Sequence, residues 1–276
     1  MRSSAAGICA RSSRTAGRPI FRRSTCLKFS GNWTRYNCRL RSTRSGSAFL
    51  NTVLKGKGIL SALQKDTLAQ FAQLADQDQF YLTGGTALAE YYLGHRLSFD
   101  LDLFTGQAGL VLPMSFQFEQ RLAALGLTVT VTRRFASYAE FVVARGQSSL
   151  KVDLALDSPF RFEAPILSEH GVRVNDFQDL KIDKLLTYYG RAEPRDAVDV
   201  HCLLQHEPIE PLLELAAKKD PGFDLYWLAV ALNRAADFPD EPERWPVMML
   251  VPWDPKQLKA TFQRLALNLM DQLTKN

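Results

Sequence analysis

Cysteine is scarce in this sequence. Four cysteines (Cys9, Cys26, Cys38 and Cys202) are spread over 276 residues, with no CxxC pair and no Cys/His spacing suited to a metal. That excludes a disulfide-stapled scaffold and a structural zinc site, and it predicts a reducing compartment. No stretch approaches the ~18 uninterrupted apolar residues that a membrane-spanning helix needs. Acid is the third absence. Residues 1–65 hold 14 Lys/Arg and no Asp or Glu, the first acid being Asp66. Subtracting these from 34 basic and 29 acidic residues leaves 20 basic and 29 acidic over 66–276, a net of −9. The overall charge of +5 is therefore an average over a basic tail and an acidic body, and the body lacks the global charge of a nucleic-acid binder. There is no internal repeat.

What is present fits a soluble, packed protein: 46% hydrophobic and 23% charged residues rule out a wholly disordered chain. Residues 1–52 are the exception. They are rich in Arg and Ser and carry no apolar periodicity, so ordering them would cost more chain entropy than their burial returns, and disorder is predicted. Three readings of this segment stay open: an organelle transit peptide, a non-specific clamp on phosphates, or upstream sequence translated ahead of the true start. The next Met after Met1 is Met114, so a shorter chain would begin at a non-Met codon near Val53 or Leu54.

Apolar residues at helical spacing predict a helix over residues 59–77. Phe80-Tyr81-Leu82 predicts a short strand ending at Thr83, broken by Gly84-Gly85 and followed by a helix from Thr86 to Leu93 that Gly94 stops. Alternation predicts a strand over residues 97–104, and a helix over Phe116–Leu125 leads to a strand over Leu127–Thr132. Ala139–Ala144 and Ser149–Leu156 predict a hairpin turning at Arg145-Gly146. Beyond Asn175 the pattern is helical: Asp176 to Tyr189 ending at Gly190, Pro194 to Gln205, Ile209–Lys218, Phe223–Ala236 and Pro255–Leu273, with a Pro-rich loop over 238–255. The fold class expected is α+β, with a mixed sheet and flanking helices over 53–170 followed by an all-helical part over 171–276.

Three features carry chemistry. Thr83-Gly84-Gly85-Thr86 joins a strand to a helix start, where glycines admit close backbone approach and free N–H groups favour an anion. A purely structural turn is the competing reading. Asp100 and Asp102 stand two apart on a strand, so both carboxylates project from one face, and their mutual repulsion calls for a cation between them. An oxygen-only pair suits Mg²⁺, whereas a solvated sheet edge is the bland alternative. Asp153, on the later alternating run Lys151-Val152-Asp153-Leu154, would join them if its strand pairs alongside, giving three carboxylates for two ions and in-line phosphoryl transfer. In the helical part Lys181, Lys184, Tyr188 and Arg191 step by 3, 4 and 3 along one face. Arg195-Asp196-x-x-Asp199 follows, and a salt-bridged surface is the competing reading for the whole stripe. His95, His170, His201 and His206 are expected to be structural or surface residues, and Cys202 a buried small hydrophobe.

Gly84-Gly85-Thr86 followed by Arg96-x-Ser98-x-Asp100-x-Asp102-Leu103-Phe104 resembles the first motif of the minimal nucleotidyltransferases of the polymerase-beta superfamily. With Asp183-Lys184-Leu185, Arg191 and Arg195-Asp196-x-x-Asp199, the chain resembles the AbiEii/AbiGii family of nucleotidyltransferase toxins from bacterial abortive-infection toxin–antitoxin systems. The resemblance covers residues 60–205. It implies that Gly84, Gly85 and Thr86 hold a nucleoside triphosphate (NTP), and that Asp100, Asp102 and Asp153 bind two Mg²⁺ ions. It also implies that Lys184 touches the triphosphate and that Asp199 and Asp196 orient Lys184 or help activate the acceptor. Arg195 and Arg191 would contact phosphates or brace those acids, with Lys181 in support. Many relatives place Gly-Ser where this turn reads Gly-Gly-Thr, and Thr86 would supply the hydroxyl. The activity implied is Mg²⁺-dependent transfer of a nucleotide from an NTP to RNA, with the tRNA 3′ end favoured, in the cytoplasm of a bacterium and restrained by a separately encoded antitoxin. A nucleotide-binding inhibitor without transferase activity and an RNA-binding adaptor using the basic tail are the alternatives.

Overall fold

The computed structural model describes residues 53–275. The basic segment over 1–52, its predicted disorder and three of the four cysteines lie outside the described residues. Helix α1 (Ala62–Phe71) opens on a capping box in which Ser61 and Gln64 satisfy each other's backbone donors. It ends well before residue 77 because the chain turns left-handed at Asp76 (φ 61°) and enters a 3₁₀ turn at Gln77–Gln79. Strand β1 (Tyr81–Thr83) passes directly into α2 (Gly84–Ala87), which continues as a π-helical stretch over Leu88–Leu93 and stops at Gly94 with φ 67°. Then come β2 (Asp100–Thr105), α3 (Val111–Ala124), β3 (Thr128–Arg134), β4 (Tyr138–Arg145), β5 (Ser148–Leu156), and two-residue strands β6 (Ile166–Leu167) and β7 (Arg173–Val174). Five helices complete the chain: α4 (Phe177–Arg191), α5 (Pro194–Leu204), α6 (Glu210–Lys219), α7 (Leu225–Asn233) and α8 (Pro255–Lys275).

The seven strands form one mixed sheet in the order β3-β4-β5-β2-β1-β7-β6. The pairing that matters most is parallel: β2 lies beside β5 with Asp102 opposite Asp153. A parallel neighbour needs a long crossover, and α3 with the β3–β4–β5 meander supplies it. Alternation along β2 buries Leu101 and Leu103 on one face and leaves Asp100 and Asp102 on the other. The β4–β5 hairpin closes with Arg145 opposite Ser148, so Gly146 and Gln147 form the turn, one residue beyond the predicted Arg145-Gly146, because Gly146 takes the positive φ (60°). Helix α3 starts five residues ahead of the predicted Phe116, its first turn burying Val111 and Met114.

Two buried apolar clusters organise the described residues. One lies between the sheet and helices α1 and α3 (Phe71, Phe80, Leu101, Phe118, Phe141, Val152). The other is built among α4 to α8 (Ile182, Leu185, Tyr188, Leu228, Phe262). Each such side chain contributes about 1.5–3 kcal/mol when fully buried. Helix α4 serves both clusters, giving Leu180 to the first and Ile182 and Leu185 to the second. Tyr188, expected on a polar stripe, is fully buried and donates its hydroxyl to the Ala231 carbonyl at 2.9 Å. Stripe spacing marks only one line on a helix, and here both neighbouring faces are covered.

Helix α4 does not stop at Gly190. It runs to Arg191, and the left-handed turn falls on buried Ala192 (φ 48°). A non-glycine residue in that conformation costs about 1–2 kcal/mol. Ala192→Gly is therefore expected to raise stability by about 1 kcal/mol, read as a higher urea midpoint with unchanged slope. A lower midpoint would show that the Ala192 methyl packs for more than the turn costs.

Candidate active site

The β1–α2 turn, strands β2 and β5, helices α4 and α5, and a strap before α8 converge on one cavity of roughly 880 Å³. Gly84 (φ 72°) sits against Asp102, and a Cβ there would collide with the Asp102 Oδ2. At Gly85 a Cβ would lie 2.6 Å from Arg96 Nη2 and 2.8 Å from Ser98 Oγ, both side-chain tips. Gly84 is thus required by its positive φ and the close approach of Asp102, Gly85 is the less constrained of the two, and both line the cavity. The Thr86 hydroxyl is engaged elsewhere. It donates to the Asp100 carbonyl, tying α2 to β2, and Thr86 does not line the cavity. The hydroxyl-bearing side chains that do line it are Thr83, Ser98 and Thr187.

Asp100, Asp102 and Asp153 occupy one face of the β2–β5 pair. Burial, opposed by Lys184 and reinforced by Asp153 and Asp100, pushes the Asp102 carboxyl up to about 6. Asp153 presents a buried Oδ1 with no hydrogen-bond partner, while its Oδ2 holds Lys151 Nζ at 2.6 Å. Arg195 Nη1 stands 3.9 Å from Asp100 Oδ2. Among the described residues no three His, Cys, Asp or Glu side chains converge on a single point as a finished metal centre. The donors nevertheless fit a hard divalent cation: all are carboxylate oxygens, one is orphaned, and the chain's own cations sit on two of the three.

Behind the cavity lies a buried charge cluster. Asp199, on α5, has no exposed surface and accepts from Arg96 Nε at 2.6 Å, Arg96 Nη2 at 2.9 Å and Lys184 Nζ at 2.8 Å, with His95 Nε2 at 2.8 Å. Burial alone would raise this carboxyl, but the charges of Lys184 and Arg96 and the bond to His95 hold it well below the ordinary carboxylate range. Burial lowers His95, so the ring is neutral and donates. Lys184 reaches the cavity while Asp199 does not. Asp199 is placed to aim Lys184 and has no access to an acceptor.

The remaining sequence candidates divide. Asp196 lines the cavity and is gripped by both forks of Arg191, at 2.6 and 2.9 Å. Arg195 also lines it, its Nε bonded to Glu193 at 3.2 Å. Lys181 lies outside the cavity; its Nζ pairs with Glu207 at 2.7 Å and rests over the Phe177 ring. The polar stripe therefore splits between Lys181 and Lys184, of which only Lys184 lines the cavity.

Several cavity residues had no strong sequence signal. Lys151 precedes Asp153 by two and so shares its face, a rule of strand alternation that could have identified it. The strap had no such rule. Trp245 is buried, donates Nε1 to the Pro239 carbonyl at 3.0 Å and meets Phe238 and Trp253 edge-on. Residues beyond it pair with the segment leading into β2: Leu97 N to Met248 O and Leu250 N to His95 O, both 2.8 Å. Trp245, Pro246, Val247 and Met248 thereby form one wall of the cavity.

Several solved structures share the fold, among them two described as nucleotidyltransferases. A candidate nucleotidyltransferase from H. pylori aligns over 78% of this chain and 98% of its own, with TM-score 0.52 and 20% identity. The nucleotidyltransferase toxin MenT4 from Mycobacterium tuberculosis H37Rv aligns over 76% of this chain and 82% of its own, with TM-score 0.52 and 16% identity. No curated protein matches. The family model described as nucleotidyl transferase AbiEii toxin, type IV toxin–antitoxin system, matches residues 66–245, well over half of the chain. With that match laid over the turn, the carboxylates and the Lys184–Asp199 pair, the chain belongs to the AbiEii family of nucleotidyltransferase toxins.

Proposed function

We propose that the protein transfers a nucleoside monophosphate from an NTP to the 3′ end of an RNA, with a tRNA as the favoured acceptor and Mg²⁺ as cofactor. The observation that carries this reading is the register of Asp102 against Asp153 beside the Gly84-Gly85 backbone and Lys184. Asp100, Asp102 and Asp153 would hold the Mg²⁺, which supplies charge neutralisation on the triphosphate and lowers the pKa of the attacking hydroxyl. The Gly84 and Gly85 backbone admits the triphosphate closely, and Lys184 offers it a point charge whose direction Asp199 sets. Arg195, released from Asp100, adds a second cation on that side. The acceptor oxygen bonds to the α-phosphorus, the bond to the β-phosphate bridging oxygen breaks, and pyrophosphate leaves. Asp153 would also take the hydroxyl proton, through the carboxylate oxygen that the metal leaves free. A cognate antitoxin, a separate protein, would restrain this activity.

The test uses the full chain with Mg²⁺, total tRNA and each NTP labelled at either the α- or the γ-phosphate. Label is expected in RNA from the α-labelled NTP only, with γ-label recovered in pyrophosphate. Entry of γ-label would mean phosphoryl transfer in place of nucleotidyl transfer. Binding of NTP with no label in any macromolecule would leave an inhibitor that acts by occupancy.

A further inference from the structure

The β3–β4–β5 part of the sheet is covered on one face. Ala139, Phe141, Val143, Leu150, Val152 and Leu154 face the core beneath α1 and α3. The opposite face leaves Thr128, Thr130, Arg133, Val142 and Ser149 exposed and runs without a break into the carboxylates of the cavity. Pairing aligns Asp102 of β2, Asp153 of β5, Glu140 of β4 and Arg133 of β3 in one row across four strands. At ~4.8 Å between strands, Arg133 is rooted about 10 Å from Asp153.

Lys151 is held in the middle of this row. Its Nζ lies 2.6 Å from Asp153 Oδ2 and 3.4 Å from Glu140 Oε2, yet its side chain is 41% exposed and lines the cavity. Two other groups fix Glu140: the Thr132 hydroxyl at 2.6 Å and the Tyr138 hydroxyl at 2.9 Å. Glu140 is therefore already satisfied without Lys151, and an ammonium with three donors has capacity left for an anion. The cavity's other cations are Arg96, Lys184, Arg191 and Arg195, none of them on β3, β4 or β5. Lys151 and Arg133 are separate from that group and lie along the open face. That face carries the hydroxyls of Thr128, Thr130, Tyr138 and Ser149, the cations Lys151 and Arg133 with Glu140 already bonded between them, and only small aliphatic side chains (Val142, Ala144, Ala155), which suits a ribose-phosphate backbone.

We propose that the open face of β3–β4–β5 is the acceptor platform, with the terminal phosphodiester of a single-stranded RNA 3′ end on Lys151 and the next one at Arg133, so that the 3′-hydroxyl lies beside Asp153. This rests on the nucleotidyl-transfer reading above. In it Lys151 is a positioning residue that exchanges Asp153 for a phosphate when acceptor arrives.

The experiment is carried out on the full chain. Lys151→Gln and Arg133→Gln are each expected to raise KM for the RNA acceptor about five- to tenfold while KM for NTP stays within twofold, and Lys151→Arg is expected to recover most of the loss. Anisotropy of a fluorescent single-stranded oligoribonucleotide, without NTP, should show the slope of log K against log salt falling by about 0.7 for each variant. Lys65→Gln, on α1 at the covered face, is the charge-matched control and should leave the slope unchanged. Unchanged acceptor KM and salt slope in both variants, with transfer intact in the wild type, overturn the platform and spare the transfer reading. An absence of transfer by the wild type sinks that reading instead, and the salt slopes then judge the face by themselves. Label on a polypeptide in place of RNA overturns the platform.

Discussion

Asp102→Asn is expected to lower nucleotidyl transfer by at least ~10³-fold, equivalent to the several kcal/mol that a bound metal contributes to transition-state charge stabilisation. Asp102 stands between Asp100 and Asp153 and against Gly84, so it is the carboxylate that no other can replace. The amide keeps the shape and removes the charge. In metal-free buffer near pH 7.5 the variant is expected to melt no lower than the wild type, because burial and two neighbouring carboxylates already push the Asp102 carboxyl up to about 6. A carboxyl raised in this way costs the folded state progressively as pH rises from about 4 and in full above about 6, and the amide relieves that cost. Activity lost with stability retained would mark Asp102 as functional. Transfer by the Asn variant within tenfold of the wild type would remove Asp102 from the mechanism.

Asp199→Ala should do the opposite and unfold the protein readily. Removing the carboxylate leaves Arg96 and Lys184 buried without their shared counter-charge and His95 without its acceptor. Breaking a buried pair in this way costs about 3–5 kcal/mol. For a fold of this size that lowers the melting temperature on the order of 10 °C. The pH dependence follows from the sign of the shift. The Asp199 carboxyl lies well below its ordinary value in the folded state, so its contribution is full above the unfolded value of about 4 and is lost as pH falls below it. Wild-type stability should therefore decline steeply below about pH 5, and Asp199→Asn should show a shallower decline from a lower plateau. Thermal melts at pH 4, 5.5 and 7 separate these outcomes. Equal melting temperatures for wild type and Asp199→Ala would mean that the cluster is solvated in solution.

The parts of this fold that rest on local pattern were legible in the residues. Thr83-Gly84-Gly85 marks the strand-to-helix turn, alternation marks β2, β4 and β5, and Asp176 and Pro194 open the helices that follow. The order of the strands was less so. The sequence supports only the conditional that Asp153 joins Asp100 and Asp102 if its strand pairs alongside; the parallel direction of β5 and the register of Asp153 opposite Asp102 are not in it, since alternation carries no information on neighbours. Strands β6 and β7 span two residues each, too short for any period to show. At the site, spacing put Lys181 and Lys184 on one stripe. The three-residue offset turns their tips apart, and a residue 26 positions away, Glu207, captures Lys181. The burial of Asp199 was invisible for the same reason: its partners His95 and Arg96 lie 104 and 103 residues earlier. Thr86 shows the remaining failure: a hydroxyl beside a Gly-Gly turn reads as facing a ligand, whereas it serves the backbone of β2.

The pairing of the strap with residues 95–97 bears on how such a toxin is made. Synthesis proceeds from the N-terminal end at ~5–20 residues per second, and early parts of a chain fold before later ones exist. The Gly84 turn and the carboxylates emerge first, but Lys184 has no fixed direction until Asp199 of α5 follows, and the cavity lacks a wall until Trp245 to Met248 arrive. A ribosome stalled or a message truncated before that point yields a product with the three carboxylates and an incomplete cavity. On the transfer reading proposed above, a nascent chain therefore gains its complete site only after residue 248 has been made.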